Sequence, residues 1–145
     1  MDVPYTLIIV ATLAQFFLGA LWYSRFMFGR WWHEVLEISH LSHEEMSKRR
    51  DKLSPFYAVQ IVLTGIFTWI LAFDLYYAKM AHLGLSPYAI AGGIWIGFIM
   101  PVQVAGVVWG NTNKKLWFKE IVIVTSYQLV GIMLAAWLLS FAWRG

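Results

Sequence analysis

Residues 121–143 read IVIVTSYQLVGIMLAAWLLSFAW, a stretch without a single charged side chain. About 20 apolar residues in a helix are enough to cross the hydrocarbon core of a bilayer, which is roughly 30 Å thick. A run of this length and composition is typical of a transmembrane helix and not of a helix packed inside a soluble domain. The segment therefore predicts a membrane span, and it sets the class of the whole chain.

Three further apolar blocks have the same character, at positions 4–24, 55–78 and 87–110. Pro4, Pro55 and Pro87 each stand near the first turn of a block, where a missing amide hydrogen costs nothing. Each block is long enough to span a bilayer. The sequence predicts one all-α domain over residues 1–145, a polytopic four-transmembrane-helix bundle.

The composition leaves little else in the chain. Hydrophobic residues make up 60% and charged residues 13%, against roughly 45–50% and 25% in soluble domains. Outside the spans only the 25–54 loop is sizeable, so a separate soluble catalytic domain does not fit. With no cysteine, thiolate chemistry is excluded. Catalytic sequence motifs are also missing. We expect no enzyme activity, metal or cofactor, and no nucleic-acid partner.

Orientation follows from the distribution of Lys and Arg. The loops between spans one and two and between spans three and four carry nine of them: Arg25, Arg30, Lys48, Arg49, Arg50, Lys52, Lys114, Lys115 and Lys119. The opposite side carries only Lys79 and Arg144. Because basic loops stay in the cytoplasm, we expect a multi-pass protein of the cell (inner) membrane with both termini outside.

The 25–54 loop contains a helix-start signal. Ser42 followed by Glu45 fits a capping box, and it predicts a short amphipathic cytoplasmic helix over 46–53 that lies along the bilayer. The basic cluster in this helix is a candidate site for anionic lipid headgroups; it consists of Lys48, Arg49, Arg50 and Lys52. The same cluster is also explained by membrane topology alone.

A stripe of possible metal ligands occurs in the same loop. His33, Glu37, His40 and Glu44 are spaced to share one face of a single helix. However, the helix start at Ser42 predicts a break within the stripe. We therefore interpret these residues as a solvated face.

Each span carries one glutamine, at positions Gln15, Gln60, Gln103 and Gln128. Counted from the span ends at a rise of 1.5 Å per residue, all four lie roughly 8–14 Å from the cytoplasmic side. An amide in hydrocarbon needs hydrogen-bond partners, and Thr64 shares a helix face with Gln60. The four amides and Thr64 are thus either a packing layer between helices or the lining of a polar pathway.

The third span is rich in glycine. Gly93 with Gly97, and Gly106 with Gly110, form two GxxxG pairs that permit close helix contact. Pro101 between them is expected to kink the helix. Whether the partner helices belong to the same chain or to a second subunit stays open, and a homo-oligomer is the default.

Asp74 is the candidate intramembrane charge, since it lies a few residues from the outer end of the second span. Such acids are often functional. Near the interface it can instead reach water or pair with Lys79.

The chain resembles a small bacterial membrane family known as domain of unknown function 1761, over nearly its full length. The resemblance is carried by the run Gly19-Ala20-Leu21-Trp22-Tyr23-Ser24, by Phe28-Gly29 and Trp32, and by Gly97-Phe98 with Pro101 in the third span. It implies a four-span membrane protein without an assigned activity.

Two functions remain. In the first, the protein is a homo-oligomeric channel or uncoupled facilitator for a small polar solute or ion, with a Gln/Thr-lined interior. In the second, it is a membrane-embedded binding or assembly module whose basic, aromatic cytoplasmic face engages anionic lipid or a partner protein. Proton-coupled export of the small multidrug-resistance type is disfavoured, because Gln15 cannot titrate.

Overall fold

The computed structural model describes residues 4–143, which form helices joined by short turns and contain no strand. In chain order the helices are α1 (Tyr5–Trp22), α2 (Gly29–Val35), α3 (His43–Met80), α4 (Pro87–Ile94), α5 (Met100–Val108) and α6 (Trp117–Ser140). A π-helical turn covers Trp95–Ile99, and short 3₁₀ turns cover Lys114–Leu116 and Phe141–Trp143. Arg144, counted above for orientation, lies outside the described residues.

Four of the helical stretches are long and apolar enough to cross a membrane: Tyr5–Trp22, His43–Met80, Pro87–Val108 and Lys114–Ser140. The prediction of an all-α chain with four such helices is therefore confirmed. Two of the predicted proline starts are also confirmed, because Pro4 immediately precedes α1 and Pro87 is the first residue of α4.

Helix α3 starts with the predicted capping box. The Ser42 hydroxyl accepts a hydrogen bond from the Glu45 backbone N–H at 3.3 Å. In return the Glu45 carboxylate accepts one from the Ser42 backbone N–H at 2.8 Å. Two backbone donors that a helix start leaves free are thereby satisfied.

The prediction of a separate amphipathic helix ending before Pro55 is wrong. Helix α3 runs without interruption from His43 to Met80, with Pro55 inside it. The proline removes only the hydrogen bond to the Asp51 carbonyl, and both residues are exposed, so that carbonyl remains accessible. The residues from Met46 to Leu53 are therefore the first turns of the second long helix. They do not form a separate helix that lies along the bilayer.

The irregularity expected at Pro101 takes the form of the π-helical turn Trp95–Ile99 on its N-terminal side. A proline within a helix cannot donate to the carbonyl four residues earlier, which here is that of Gly97. A wider turn before the proline changes the hydrogen-bond register at this point. The third long helix is thus divided into α4 and α5, with Pro101 in the first turn of α5.

Helix α6 lies at the centre of the bundle and packs against α1, α3, α4 and α5. A large apolar cluster joins α1, α3, α4 and α6 towards one end, with Leu71, Ile132 and Leu139 almost fully buried. A smaller cluster around Trp22 and Ile123 joins α1, α2 and α6 towards the other end. These two clusters fix the position of everything between them.

Two tryptophan side chains bind the backbone of α6. The indole N–H of Trp22 in α1 donates to the Ile123 carbonyl at 3.2 Å. The indole N–H of Trp95 donates to the Thr125 carbonyl at 3.0 Å. Because these carbonyls are two residues apart, α1 and the third long helix are attached to α6 at nearly the same level.

Lowering the pH should weaken the start of α3. Hydrogen bonds from the backbone and then the hydroxyl of Ser42 lower the pKa of the Glu45 carboxyl group. Since the folded-state pKa lies below the unfolded one, this stabilisation is complete above the unfolded pKa and disappears as the pH falls through the folded-state pKa. Amide exchange at Ser42 and Glu45, corrected for intrinsic rates, should show protection decreasing over that acidic range.

Glu45→Gln is the matched control, because glutamine also serves in a capping box but does not ionise there. Its protection should not change over the same pH range. An equal loss of protection in both proteins would contradict the assignment to Glu45.

Candidate functional site

The four glutamines line one cavity of about 350 Å³. They come from α1, α3, α5 and α6, so each of the four long helices contributes one carboxamide. The other lining residues are Leu63, Thr64, Phe67, Phe98, Ile99, Val102, Tyr127 and Gly131. None of the described residues around this glutamine cavity carries a charge.

The glutamine cavity lies between the two apolar clusters. Along α1, Gln15 follows Ala11 of the large cluster and precedes Trp22 of the small one. The floor is formed by α1 and α6. The mouth opens between α3 and α5, because Leu63 and Val102 at its rim are 55% and 70% exposed.

Gln15 is the one glutamine whose side chain joins two helices among the described residues. It is 5% exposed. Its amide nitrogen donates to the Thr68 hydroxyl of α3 at 2.7 Å and to the Ala11 carbonyl of its own helix at 3.2 Å. Both amide hydrogens are therefore used, and this side chain joins α1 to α3.

A ladder of polar side chains continues along α3. The Gln60 side-chain amide donates to the Thr64 hydroxyl at 3.2 Å. That hydroxyl donates in turn to the backbone carbonyl of Gln60 at 2.8 Å. The Thr68 hydroxyl donates to the Thr64 carbonyl at 2.7 Å. Gln60 itself is exposed, so its carboxamide lies at the mouth and is bonded only within its own helix.

Gln103 and Gln128 behave differently. Both are half-buried and line the glutamine cavity, and neither side chain makes a hydrogen bond with any residue of the 4–143 segment. Each carboxamide offers two N–H donors and a carbonyl acceptor. These two side chains therefore present unused hydrogen-bonding groups to whatever occupies the cavity.

Tyr127 is a wall residue that the sequence analysis did not identify. Its hydroxyl donates to the backbone carbonyl of Gln15 at 3.3 Å. A β-carbon added at Gly19 would lie 2.9 Å from the Tyr127 hydroxyl oxygen. Gly19 is thus small because the tyrosine occupies its space. A tyrosine within an apolar block was the available signal, but its partner lies 112 residues away in the sequence.

The first group of family-motif residues surrounds this tyrosine. Trp22 stacks near Phe28, with ring centroids 5.0 Å apart, and Tyr23 lies 4.9 Å from Trp32 and 5.5 Å from Tyr127. These aromatic side chains pack into the small cluster beside Tyr127, and none of the five motif residues Gly19, Trp22, Tyr23, Phe28 and Trp32 lines the glutamine cavity itself.

Gly29 completes the turn between α1 and α2. Its backbone N–H donates to the Ser24 carbonyl at 2.9 Å, and an added β-carbon would lie 2.6 Å from that same carbonyl group. Only glycine fits here.

The third-span motif residues are not brought into this group. Phe98 lines the cavity mouth but is 72% exposed, and Gly97 and Pro101 are also exposed. A β-carbon added at Gly97 would meet nothing within 4 Å, and the same holds for Gly93 and Gly106. The described part of the chain provides no helix that packs against these glycines.

The remaining candidates lie outside the glutamine cavity. Asp74 is exposed on α3 and belongs to neither of the ion pairs among the described residues, which are Glu44–Lys48 and Glu34–Lys119. The stripe from His33 to Glu44 does not lie on one helix, because α2 ends at Val35 and α3 begins at His43; the sequence predicted this break. Within residues 4–143, no group of three or more metal-ligating side chains occurs.

The fold and the site define an all-helical protein with four helices suited to a membrane and a cavity lined by carboxamides. The family model "Protein of unknown function (DUF1761)" matches residues 6–140. The chain therefore belongs to this family, which confirms the resemblance found in the sequence. No curated protein and no solved structure matches the chain.

The same substitution at two cavity positions should have different effects on stability. Gln15→Leu removes the hydrogen bond to Thr68 and should lower the free energy of unfolding by about 1–2 kcal/mol. Gln103→Leu breaks no hydrogen bond with a described residue, and it should change that energy by less than about 0.5 kcal/mol. Denaturant unfolding in detergent, followed by tryptophan fluorescence, measures both; equal losses would contradict this assignment.

Two glycine substitutions test the motif turn. Gly29→Ala places a β-carbon against the Ser24 carbonyl and should cost about 1–3 kcal/mol of stability. Gly97→Ala adds a β-carbon in open space, so it should be neutral or slightly stabilising in a helix. The thermal midpoint of each purified variant provides the comparison. A larger decrease for Gly97→Ala than for Gly29→Ala would refute the assignment.

Proposed function

We propose that this protein is an uncoupled facilitator for a small polar solute, which passes through the glutamine cavity. The observation that carries the proposal is the pair Gln103 and Gln128, whose carboxamides face the cavity without a hydrogen-bond partner among residues 4–143. In a membrane such groups have no water or lipid group to satisfy them. A polar solute in the cavity, or the water it replaces, supplies the missing partners.

The size and chemistry of the cavity support a small, neutral solute. A volume of about 350 Å³ has room for several water molecules or for a small solute. No described lining residue is acidic, basic or a histidine, so a proton gradient finds no carboxylate, amine or imidazole to act on there. Passage is therefore uncoupled, and this is also why we propose that the protein is not an enzyme.

The position of the mouth supports assembly into a homo-oligomer. Gln60 is exposed at the mouth, where hydrocarbon cannot satisfy its carboxamide. A second copy of the chain packed across α3 and α5 covers this opening and turns a side entrance into an enclosed pathway. The uncovered glycines Gly93 and Gly97 lie on the same long helix and allow a close approach.

The protein on this proposal is a multi-pass protein of the inner membrane, with basic loops in the cytoplasm and both termini outside. The support is the count of nine basic residues against two in the sequence. The glutamine cavity then lies in the cytoplasmic half of the bilayer.

Solute flux into reconstituted vesicles tests the proposal. Stopped-flow light scattering would compare vesicles with and without protein, with glycerol, urea and potassium chloride as probes. We expect faster entry of glycerol or urea through the wild-type protein, and no faster entry of potassium chloride than in vesicles without protein. Gln103→Leu with Gln128→Leu should reduce the added flux at least tenfold, since each lost hydrogen bond to the solute costs about 1–3 kcal/mol.

The control removes charge from the loop instead. Lys48→Gln with Arg49→Gln and Arg50→Gln should leave the flux within about twofold of wild type, because none of these residues lines the glutamine cavity. If the loop variant abolishes activity and the glutamine variant does not, the binding or assembly module is the correct function. No added flux of either glycerol or urea would contradict the facilitator.

A further inference from the structure

We propose that a second cavity, the arginine cavity, binds a phosphate group, carried either by an anionic lipid or by a free phosphate ion. It has a volume of about 730 Å³ and lies between the end of α1, helix α2 and the first turns of α3. Arg25 follows α1, whereas Arg49 and Arg50 belong to α3, and all three line this cavity. Residues far apart in sequence thus bring three guanidinium groups to one space.

The three arginines form no ion pair with a carboxylate of residues 4–143. The ion pairs among the described residues are both made by lysines, Lys48 with Glu44 and Lys119 with Glu34. No described residue lining the arginine cavity is acidic. Glu34 and Glu44 thus pair with lysines, and the Glu45 carboxylate is bonded to the Ser42 backbone N–H. The arginine charges remain available to an anion.

Arginine is the side chain suited to this ligand. Its planar guanidinium group binds two phosphate oxygens at once, in charge-assisted hydrogen bonds. Further hydrogen-bond donors complete the set, since Ser39, Ser47 and the imidazoles of His33 and His43 also line the cavity. A ligand with several oxygen acceptors and at least one negative charge matches this combination.

Much of this cavity is lined by apolar side chains. Leu36, Ile38, Leu41, Met46 and Leu53 line it, together with Ala20 and Tyr57, which belong to helices long enough to span a membrane. A lipid places its phosphate beside its apolar part in the same way, and the basic charges attract anionic headgroups. Inorganic phosphate offers the same oxygens without the apolar part, so the two sources can be separated by experiment.

The arginine cavity is independent of the proposed facilitator. It shares no lining residue with the glutamine cavity. It also divides the basic cluster seen in the sequence, because Arg49 and Arg50 line it and Lys48 and Lys52 do not. Helix α3 therefore provides a matched control in which the same number of positive charges is removed beside the site.

The experiment compares Arg49→Gln with Arg50→Gln against Lys48→Gln with Lys52→Gln in the full-length protein. In one arm, native mass spectrometry counts phosphatidylglycerol bound to protein released from nanodiscs of phosphatidylcholine and phosphatidylglycerol. In the other, calorimetry measures binding of inorganic phosphate in pure phosphatidylcholine nanodiscs. All four positions are exposed, so folding should be unaffected, and the thermal midpoint of each variant checks this.

The arginine variant should bind at least about tenfold more weakly than wild type, since each basic charge near an anionic headgroup is worth about a fivefold change in affinity. The lysine variant should change by no more than about twofold. Arg25→Gln should weaken binding as well, although it lies on a different element. The arm in which the selective loss occurs identifies the source of the phosphate.

Two results would overturn the proposal. Equal weakening by the arginine and lysine variants would show a diffuse surface attraction without a site. No binding by the wild-type protein in either arm would show that the arginine cavity takes no phosphate.

Discussion

The hydrogen bond from the Gln15 side chain to the Thr68 hydroxyl sets the register of α1 against α3, and the glutamine cavity depends on that register. It joins α1 to α3 at 2.7 Å in a buried position, where an unpaired amide would cost free energy. With α1 held at this height, the backbone carbonyl of Gln15 accepts a hydrogen bond from the Tyr127 hydroxyl, and Gly19 packs against the tyrosine ring. The floor of the glutamine cavity is a consequence of that one registration between two helices.

Apolar clusters occupy the two ends of the bundle, and the polar side chains lie between them. The large cluster contains Ile132 and Leu139, and the small one contains Trp22 and Ile123. The buried side chains of the large cluster are all apolar, so burial stabilises it. The small cluster adds the hydrogen bond from the Trp22 indole N–H to the Ile123 backbone carbonyl. Between them the chain places side chains that hydrogen-bond only in part, Gln103 and Gln128 above all. Stability is concentrated at both ends, which leaves the middle open for a ligand.

Features decided by neighbouring residues could be predicted from the sequence. Length and composition predict the long helices, Ser42 and Glu45 predict the start of α3, and one glutamine per apolar block predicts a shared layer. Other features depend on distant partners. The wall residue Tyr127 meets a carbonyl 112 residues away, and no local pattern carries that information. Pro55 led to the wrong prediction that a new helix begins there. A proline favours the first turn of a helix, but the sequence does not show that a helix already precedes it.

The unbroken course of α3 has a mechanical consequence. Its 38 residues make a rod of about 57 Å at 1.5 Å per residue. Arg49 of one cavity and Gln60 of the other are mounted on this rod, about 16 Å apart along its axis. Because a helix hardly stretches, the distance between these two residues, and with it the spacing of the two cavities along α3, is fixed. A tilt of α3 displaces Arg49 and Gln60 together. Only bending near Pro55, where one backbone hydrogen bond is missing, lets one of these residues move without the other.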